Sequence, residues 1–257
     1  GVKLLAVNNT FTADQLSILG DLRSRYPDFL GSVVANDEEG GYLIAKRLIE
    51  SRAPVPPGQT IDMLAFSGTN TTPVSLQRER GLYRALAEYP QVRLRQIVLG
   101  GWRRDRAYEQ AQVLIKRYSN ASLVWAASDL MAFGVMDALR EAGKQPGKDV
   151  LVGTINDSTA ALQALLEGRL SAVAGGHFTL GGWALVLLHD YDKADKPLRQ
   201  PIGTWRVSAM QIRERSDSVS FMQANSRDDY GIDVRQFTDG HSPTGVAYPF
   251  VRVGAGN

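Results

Sequence analysis

The chain has 257 residues, 44% of them hydrophobic and 22% charged, with a net charge of +2. That length allows one large domain or two small ones, and the near-neutral balance gives no basis for a nucleic-acid or anionic-membrane partner. With no cysteine and three scattered histidines, the residues exclude thiolate metal sites, thiol nucleophiles, disulfides and a local histidine metal motif, and no apolar run approaches bilayer length.

Taken in order, the hydrophobic pattern alternates strand and helix. Residues 2–7 read as a buried strand closed by Asn8-Asn9. Thr12 to Tyr26 carries Leu16, Leu19, Leu22 and Tyr26 at helical spacing, and Pro27 stops it. Ser32–Ala35 is short and β-branched, and Asp37–Glu50 is helical with Ile44, Ala45, Leu48 and Ile49 on one face. A Pro/Gly loop over 52–59 leads to a strand at 61–66, the polar turn SGTNTT, and a helix from about 74 to 89.

A strand at 92–98 precedes the clearest amphipathic helix, Asp105–Tyr118. Then come a strand at 122–126, a helix at 129–142 with Asp129 suited to its cap, and a strand at 150–153. A helix at 158–167, a strand at 170–174, a helix at 178–191 and a last clear strand at 202–207 complete the series. Strict βα alternation predicts parallel sheets with helices on both faces, and places any ligand beyond the carboxyl ends of the strands.

Those ends carry amides, hydroxyls, an Asp, the Trp102 ring, His177 and, one turn into a helix, Arg80. Amides, carboxylates and Arg match sugar hydroxyls bidentately, and an aromatic ring suits the apolar face of a sugar. No phosphate-binding glycine loop, nucleophile elbow or paired-carboxylate cluster with His occurs, so the chain reads as a non-enzyme without cofactor or metal. Each residue also has a plainer reading. QRERG (77–81) alone is a solvated helix face, Asp129 a helix cap, Trp102 a lid residue, His177 a loop residue and Asn8-Asn9 an Asx turn.

Together and in order, GVKLLAVNN, VVANDEEGGYLIAKRL, LAFSGTN…RERGLYRAL, LVWAASDLMAFGVMDALREAG, DVLVGTIND and GRLSAVAGGHFTLGGWAL resemble the type 1 periplasmic sugar-binding proteins. This is the ribose- and galactose-binding family, whose fold is shared by lac-repressor-type ligand domains. The resemblance covers about residues 1–207. It implies a two-lobe α/β solute-binding protein that takes a small polar ligand, most simply a sugar, between its lobes. An ABC permease is the implied partner and the periplasm the implied location, with any export signal outside these residues. A regulator or membrane-sensor ligand domain of the same fold is the alternative. The implied ligand contacts are Asn8, Asn9, Arg80 (as the second Arg of RERG), Trp102 and Ser128. A further contact falls on Asn156 or Asp157, with Asn156 preferred, and His177 stands where relatives often place Gln or Asp.

In that family the strand ending in two polar residues follows two to three βα units. Residues 1–35 plus 177–205 are therefore expected to be a remainder of the amino-terminal lobe, beside a complete carboxy-terminal lobe over 36–176. Two or three parallel strands would have open edges, so partners outside these residues, or another chain, are expected to complete that sheet. Asn36-Asp37 is expected at a crossover between lobes. Residues 206–257 are expected to hold the third crossing and a carboxy-terminal extension, IDVRQFTDGHSPTGVAYPF, with irregular structure and a short strand.

Overall fold

The computed structural model describes residues 1–56, 58–193, 203–226 and 250–253. Its strands form two sheets. The larger has the order β4-β3-β5-β6-β7-β9, built from β3 (Ile61–Ser67), β4 (Val92–Leu99), β5 (Leu123–Ala126), β6 (Leu151–Ile155), β7 (Ala172–Gly175) and β9 (Gln211–Ile212). The smaller has the order β1-β2-β8-β10, from β1 (Leu4–Val7), β2 (Phe29–Ala35), β8 (Gly203–Val207) and β10 (Phe250–Val253).

The central pairings are parallel, as the βα alternation predicts. The additions after residue 207 are antiparallel: β9 on β7 and β10 on β8. A two-residue strand and an edge strand leave too little periodicity to be read from sequence. The helix α9 (Arg215–Asn225) was not expected either. The extension from 232 to 249, and Ile202 of the expected last strand, lie outside the described residues.

The segment predicted as one helix over 12–26 is two. Thr12 and Gln15 form a reciprocal cap at the start of α1 (Ala13–Leu19). Gly20, at φ +67, then turns the chain, and Asp21 caps α2 (Leu22–Arg25) by accepting from the Arg23 N–H at 3.1 Å. Neither helix buries a residue. β1 is an outer strand of the smaller sheet, and Leu4, Val7 and Ile18 are exposed there.

The core lies mainly in the larger sheet, around Phe66, Trp125, Met63, Leu123 and Leu48, all with under 2% exposure. α3 (Asp37–Ser51) and α4 (Pro73–Glu88) cross there in close contact. A Cβ on Gly41 would fall 2.0 Å from the Arg78 carbonyl, and one on Gly81 would fall 1.9 Å from the Glu38 carbonyl. Only glycine permits this approach, and it seats Arg78 beside the first residue of α3.

Three crossings join the sheets: β2 to α3, β7 to α8 (Leu180–Lys193), and β8 to β9. They are stitched together. The Asn36 N–H donates to the Val207 carbonyl at 3.1 Å, and the Met210 N–H donates to Asn36 Oδ1 at 2.8 Å. Gly176, at φ +118, lies against the Ala209 carbonyl, which a Cβ would approach to 2.1 Å. Among the described residues, no helix is long and apolar enough to cross a membrane.

Candidate functional site

Where the strand ends of the two sheets face each other lies a cavity of about 340 Å³, within the size range of small-molecule sites. From the smaller sheet's side, Val7, Asn8 and Asn9 line it; from the larger, Thr72, Val74, Arg78, Trp102, Ser128, Leu130, Asn156 and, just past β7, His177. Six of the seven sequence-predicted contacts therefore share one cavity. Arg80 does not. It is exposed on α4 and lines a neighbouring cleft of about 1150 Å³. Two residues along a helix is a rotation of roughly 200°, so Arg78 and Arg80 point to opposite sides. The arginine at the cavity is Arg78. Its register was readable, since it falls in line with Ser75, Leu82 and Ala85 on the buried face of α4.

Arg78 is 3% exposed. Its Nε donates to Asp37 Oδ1 at 2.8 Å and its Nη1 to the Ala127 carbonyl at 2.6 Å. Its guanidinium carbon lies 5.6 Å from the centre of the Trp102 ring, a cation–π distance. The indole also abuts Gly68, where a Cβ would come within 2.0 Å of Trp102 Cζ2. The ring is thus held by the Gly68 backbone and Arg78.

Among the described residues, the non-glycine positions with positive φ are Asn8 (+64°), Trp102 (+64°) and Asn156 (+87°). All three line this cavity. Such conformations are disfavoured for residues with a Cβ and persist where the surroundings over-determine them. Asn8 bends the chain at the end of β1, and Asn9 Oδ1 accepts from the adjacent Thr10 N–H at 3.0 Å, which is not the bond to the second residue on that an Asx turn makes. Both residues line the cavity.

Asn156 is oriented by Asp129, whose Oδ1 accepts from Asn156 Nδ2 at 2.8 Å and whose Oδ2 accepts from Ser158 Oγ at 2.6 Å. Asp129 is the first residue of α6 (Asp129–Glu141), and Ser128 holds the cap position without a side-chain capping bond. Asp129 thus stands one residue inside the cap position that the sequence reading gave it, where its Oδ1 also accepts from the Leu130 N–H at 2.9 Å, and serves besides as a buried acceptor under Asn156. Asp157 turns away into an ion pair with Arg213, 2.8 Å from it, so Asn156 is the residue of this pair that meets the cavity.

Two polar atoms here have no protein partner: Ser128 Oγ and His177 Nδ1 are buried and unbonded. Buried polar groups are nearly always paired, so orphans converging on one cavity mark it as a place for a hydrogen-bonding guest. Burial first, and then the nearby Arg78 cation, lower the His177 pKa to about 4 against the opposing pull of Asp157 and Asp129. The imidazole is neutral at ordinary pH. The Arg78 charge is met by Asp37, so the lining presents hydroxyl, amide, imidazole and ring surfaces with no uncompensated charge from that pair. Among the described residues, no group of three His, Asp or Glu side chains is placed to hold a metal.

The sequence profile of periplasmic binding protein domains matches residues 29–195, more than half of the chain. The chain belongs to the periplasmic binding protein family. Within that family it is a type 1, sugar-binding-protein-like α/β fold. A periplasmic sugar-binding protein from Pseudomonas fluorescens is 45% identical in its crystal structure, with a TM-score of 0.79 over 93% of this chain and 69% of that one. The galactofuranose-binding protein YtfQ of Escherichia coli (strain K12) is 26% identical over 168 residues, 64% of this chain and 52% of that protein. The HTH-type transcriptional repressor PurR of Actinobacillus pleuropneumoniae serotype 3 (strain JL03) is 27% identical over 177 residues, 68% of this chain and 49% of that protein. The chain spans about half the length of these curated relatives.

Proposed function

We propose that this periplasmic binding protein takes an uncharged sugar into the cavity between its two sheets and delivers it to an ABC-type permease from the periplasm. The observation that carries the reading is convergence. Asn8, Trp102 and Asn156, in disfavoured backbone conformations, and the orphan atoms of Ser128 and His177 all belong to one cavity fed by both sheets. A hydroxyl both donates and accepts, so it can satisfy Ser128 Oγ and either tautomer of a neutral His177. Trp102 offers the apolar face on which a sugar ring stacks.

The proposed lobes are residues 1–35 with 177–205 and residues 36–176, moving about the three stitched crossings. Periplasmic binding proteins are the standard example of hinge closure around a ligand. Closure would exclude water and strengthen the hydrogen bonds to the sugar. The name of the Escherichia coli relative supports furanoses as the first ligands to try.

Calorimetry of the protein against D-galactose, L-arabinose, D-allose and D-ribose tests the reading. Saturable binding of at least one sugar is expected, and absence of heat for the whole panel overturns it. The similarity to a transcriptional repressor favours a second reading, a ligand-sensing domain using the same cavity. Sugar-dependent ATP hydrolysis by a permease in proteoliposomes supports delivery, whereas sugar-dependent retardation of DNA by the full-length gene product supports regulation.

A further inference from the structure

We propose that Arg213, beyond the third crossing and outside the cavity, is a positioning residue that holds Asn156 and His177 in place through Asp157 and Phe178. The inference rests on the sugar-binding reading above and adds a residue to it from a part of the chain that the sequence resemblance does not cover.

The contacts form a closed path. Arg213 Nε and Nη2 both lie 2.8 Å from Asp157 Oδ2. The pair is buried, with 9% and 4% of the two side chains exposed. Asp157 directly follows Asn156, whose φ of +87° requires restraint from its surroundings. The other face of the guanidinium lies 3.8 Å from the centre of the Phe221 ring on α9. Phe221 meets Phe178 edge to face at 6.5 Å between centroids, and Phe178 directly follows His177.

The pair also sits on the second crossing. The Asp157 carboxyl lies against Gly175, where a Cβ would come within 2.1 Å of its Cγ, and Arg213 Nη2 would lie 3.0 Å from a Cβ on Gly176. The Arg213 N–H is anchored to the Val173 carbonyl at 2.8 Å. One side chain thus touches the turns that present two of the cavity's residues. A buried ion pair is a weak source of stability, since desolvation offsets most of its attraction, whereas its geometry is specific. The fork and flat face of Arg serve both the carboxylate and the ring, which Lys cannot do.

The test compares Arg213→Ala, Arg213→Lys and Phe221→Leu with wild type, using calorimetry with the four sugars above. Thermal melting identifies the folded variants, and the two milder changes keep the test open if Arg213→Ala does not fold. Weakening by about tenfold is expected for the Arg213 variants, the size of one lost hydrogen bond to the ligand. In a background carrying both Asn156→Ala and His177→Ala the same change should cost less than about twofold, because a positioning role has nothing left to position. Equal losses in both backgrounds, or Arg213 variants that bind within about twofold of wild type, overturn the inference and leave the sugar reading standing.

If no sugar in the panel binds, the sugar reading fails, and the inference is judged on the ligand-free protein by NMR titration of His177, facing Arg78, Asp129, Asp157 and Arg213. Removing the Arg213 cation and freeing Asp157 both favour the imidazolium. Arg213→Ala should raise the midpoint above about 4, and Arg213→Lys, which keeps the charge, should raise it less. Identical midpoints in all three proteins overturn it.

Discussion

Arg78 and Asp37 meet at 2.8 Å with 3% and 4% of their side chains exposed. The pair joins the starts of α3 and α4 across the glycine contact of Gly41 and Gly81, and it places a guanidinium against Trp102. Burial raises the Asp37 pKa, and Arg78 opposes that rise. Removing either partner strands the other away from water.

Arg78→Ala should therefore act twice. It should abolish measurable sugar binding and destabilise the fold by about 3–5 kcal/mol, as expected when one member of a buried pair is removed. Arg80→Ala, exposed and outside the cavity, should bind sugar within about twofold of wild type and change stability by less than about 0.5 kcal/mol. Calorimetry and urea denaturation of the two variants decide between the neighbouring arginines. An Arg80→Ala variant as defective as Arg78→Ala would reverse the assignment.

Ser128→Ala separates binding from stability. Its Oγ is buried without a partner, so the ligand-free fold carries its desolvation cost. The variant should be as stable as wild type or more stable by about 1 kcal/mol, while sugar affinity falls roughly tenfold for the loss of one hydrogen bond. A variant that loses stability and keeps affinity would show that the hydroxyl faces no ligand.

His177 sets a pH dependence of known sign. Its pKa is lowered from 6.5 to about 4 in the folded chain. Between those values the unfolded chain binds a proton that the folded one does not, so stability is full above about pH 6.5 and declines as pH falls to about 4. The loss totals on the order of 3 kcal/mol. Substituting His177→Gln should flatten the denaturation midpoint across that window. An unchanged slope would mean that His177 titrates as an exposed histidine.

Gly68→Ala should disturb Trp102 without touching a polar contact. The new methyl would lie about where the indole now sits, so the ring must move off its wall. Tryptophan fluorescence should shift, and sugar affinity should fall about as far as in Trp102→Leu, by roughly tenfold for one lost stacking surface. Wild-type affinity in Gly68→Ala would remove Trp102 from the ligand's wall.

Much of the fold was legible because periodicity is local. The alternation of apolar strands with amphipathic helices specifies a βα series, and a parallel sheet follows from the handedness of its crossovers. The break at Gly20 was missed because the apolar spacing continues through Leu22 while the glycine's positive φ does not. β9 and α9 were missed, and the short strand expected in the extension was not located at β10, because each depends on an edge or face supplied by distant segments.

The strand ends that hold Asn8, Asn9, Trp102, Ser128, Asn156 and His177 were legible because a parallel sheet sends every such end to the same side, whereas singling out those residues within the ends rested on the family resemblance. The choice of Arg78 over Arg80 was already legible in the buried register of α4. Only the tertiary structure decided that Asp129 supports Asn156 as well as the first turn of its helix, and that Arg213, 37 residues after Gly176, packs against that crossing. Those outcomes depend on which side chains meet across two sheets and three crossings, and on where burial leaves a polar atom without a partner. Neither is encoded in the spacing of any one segment.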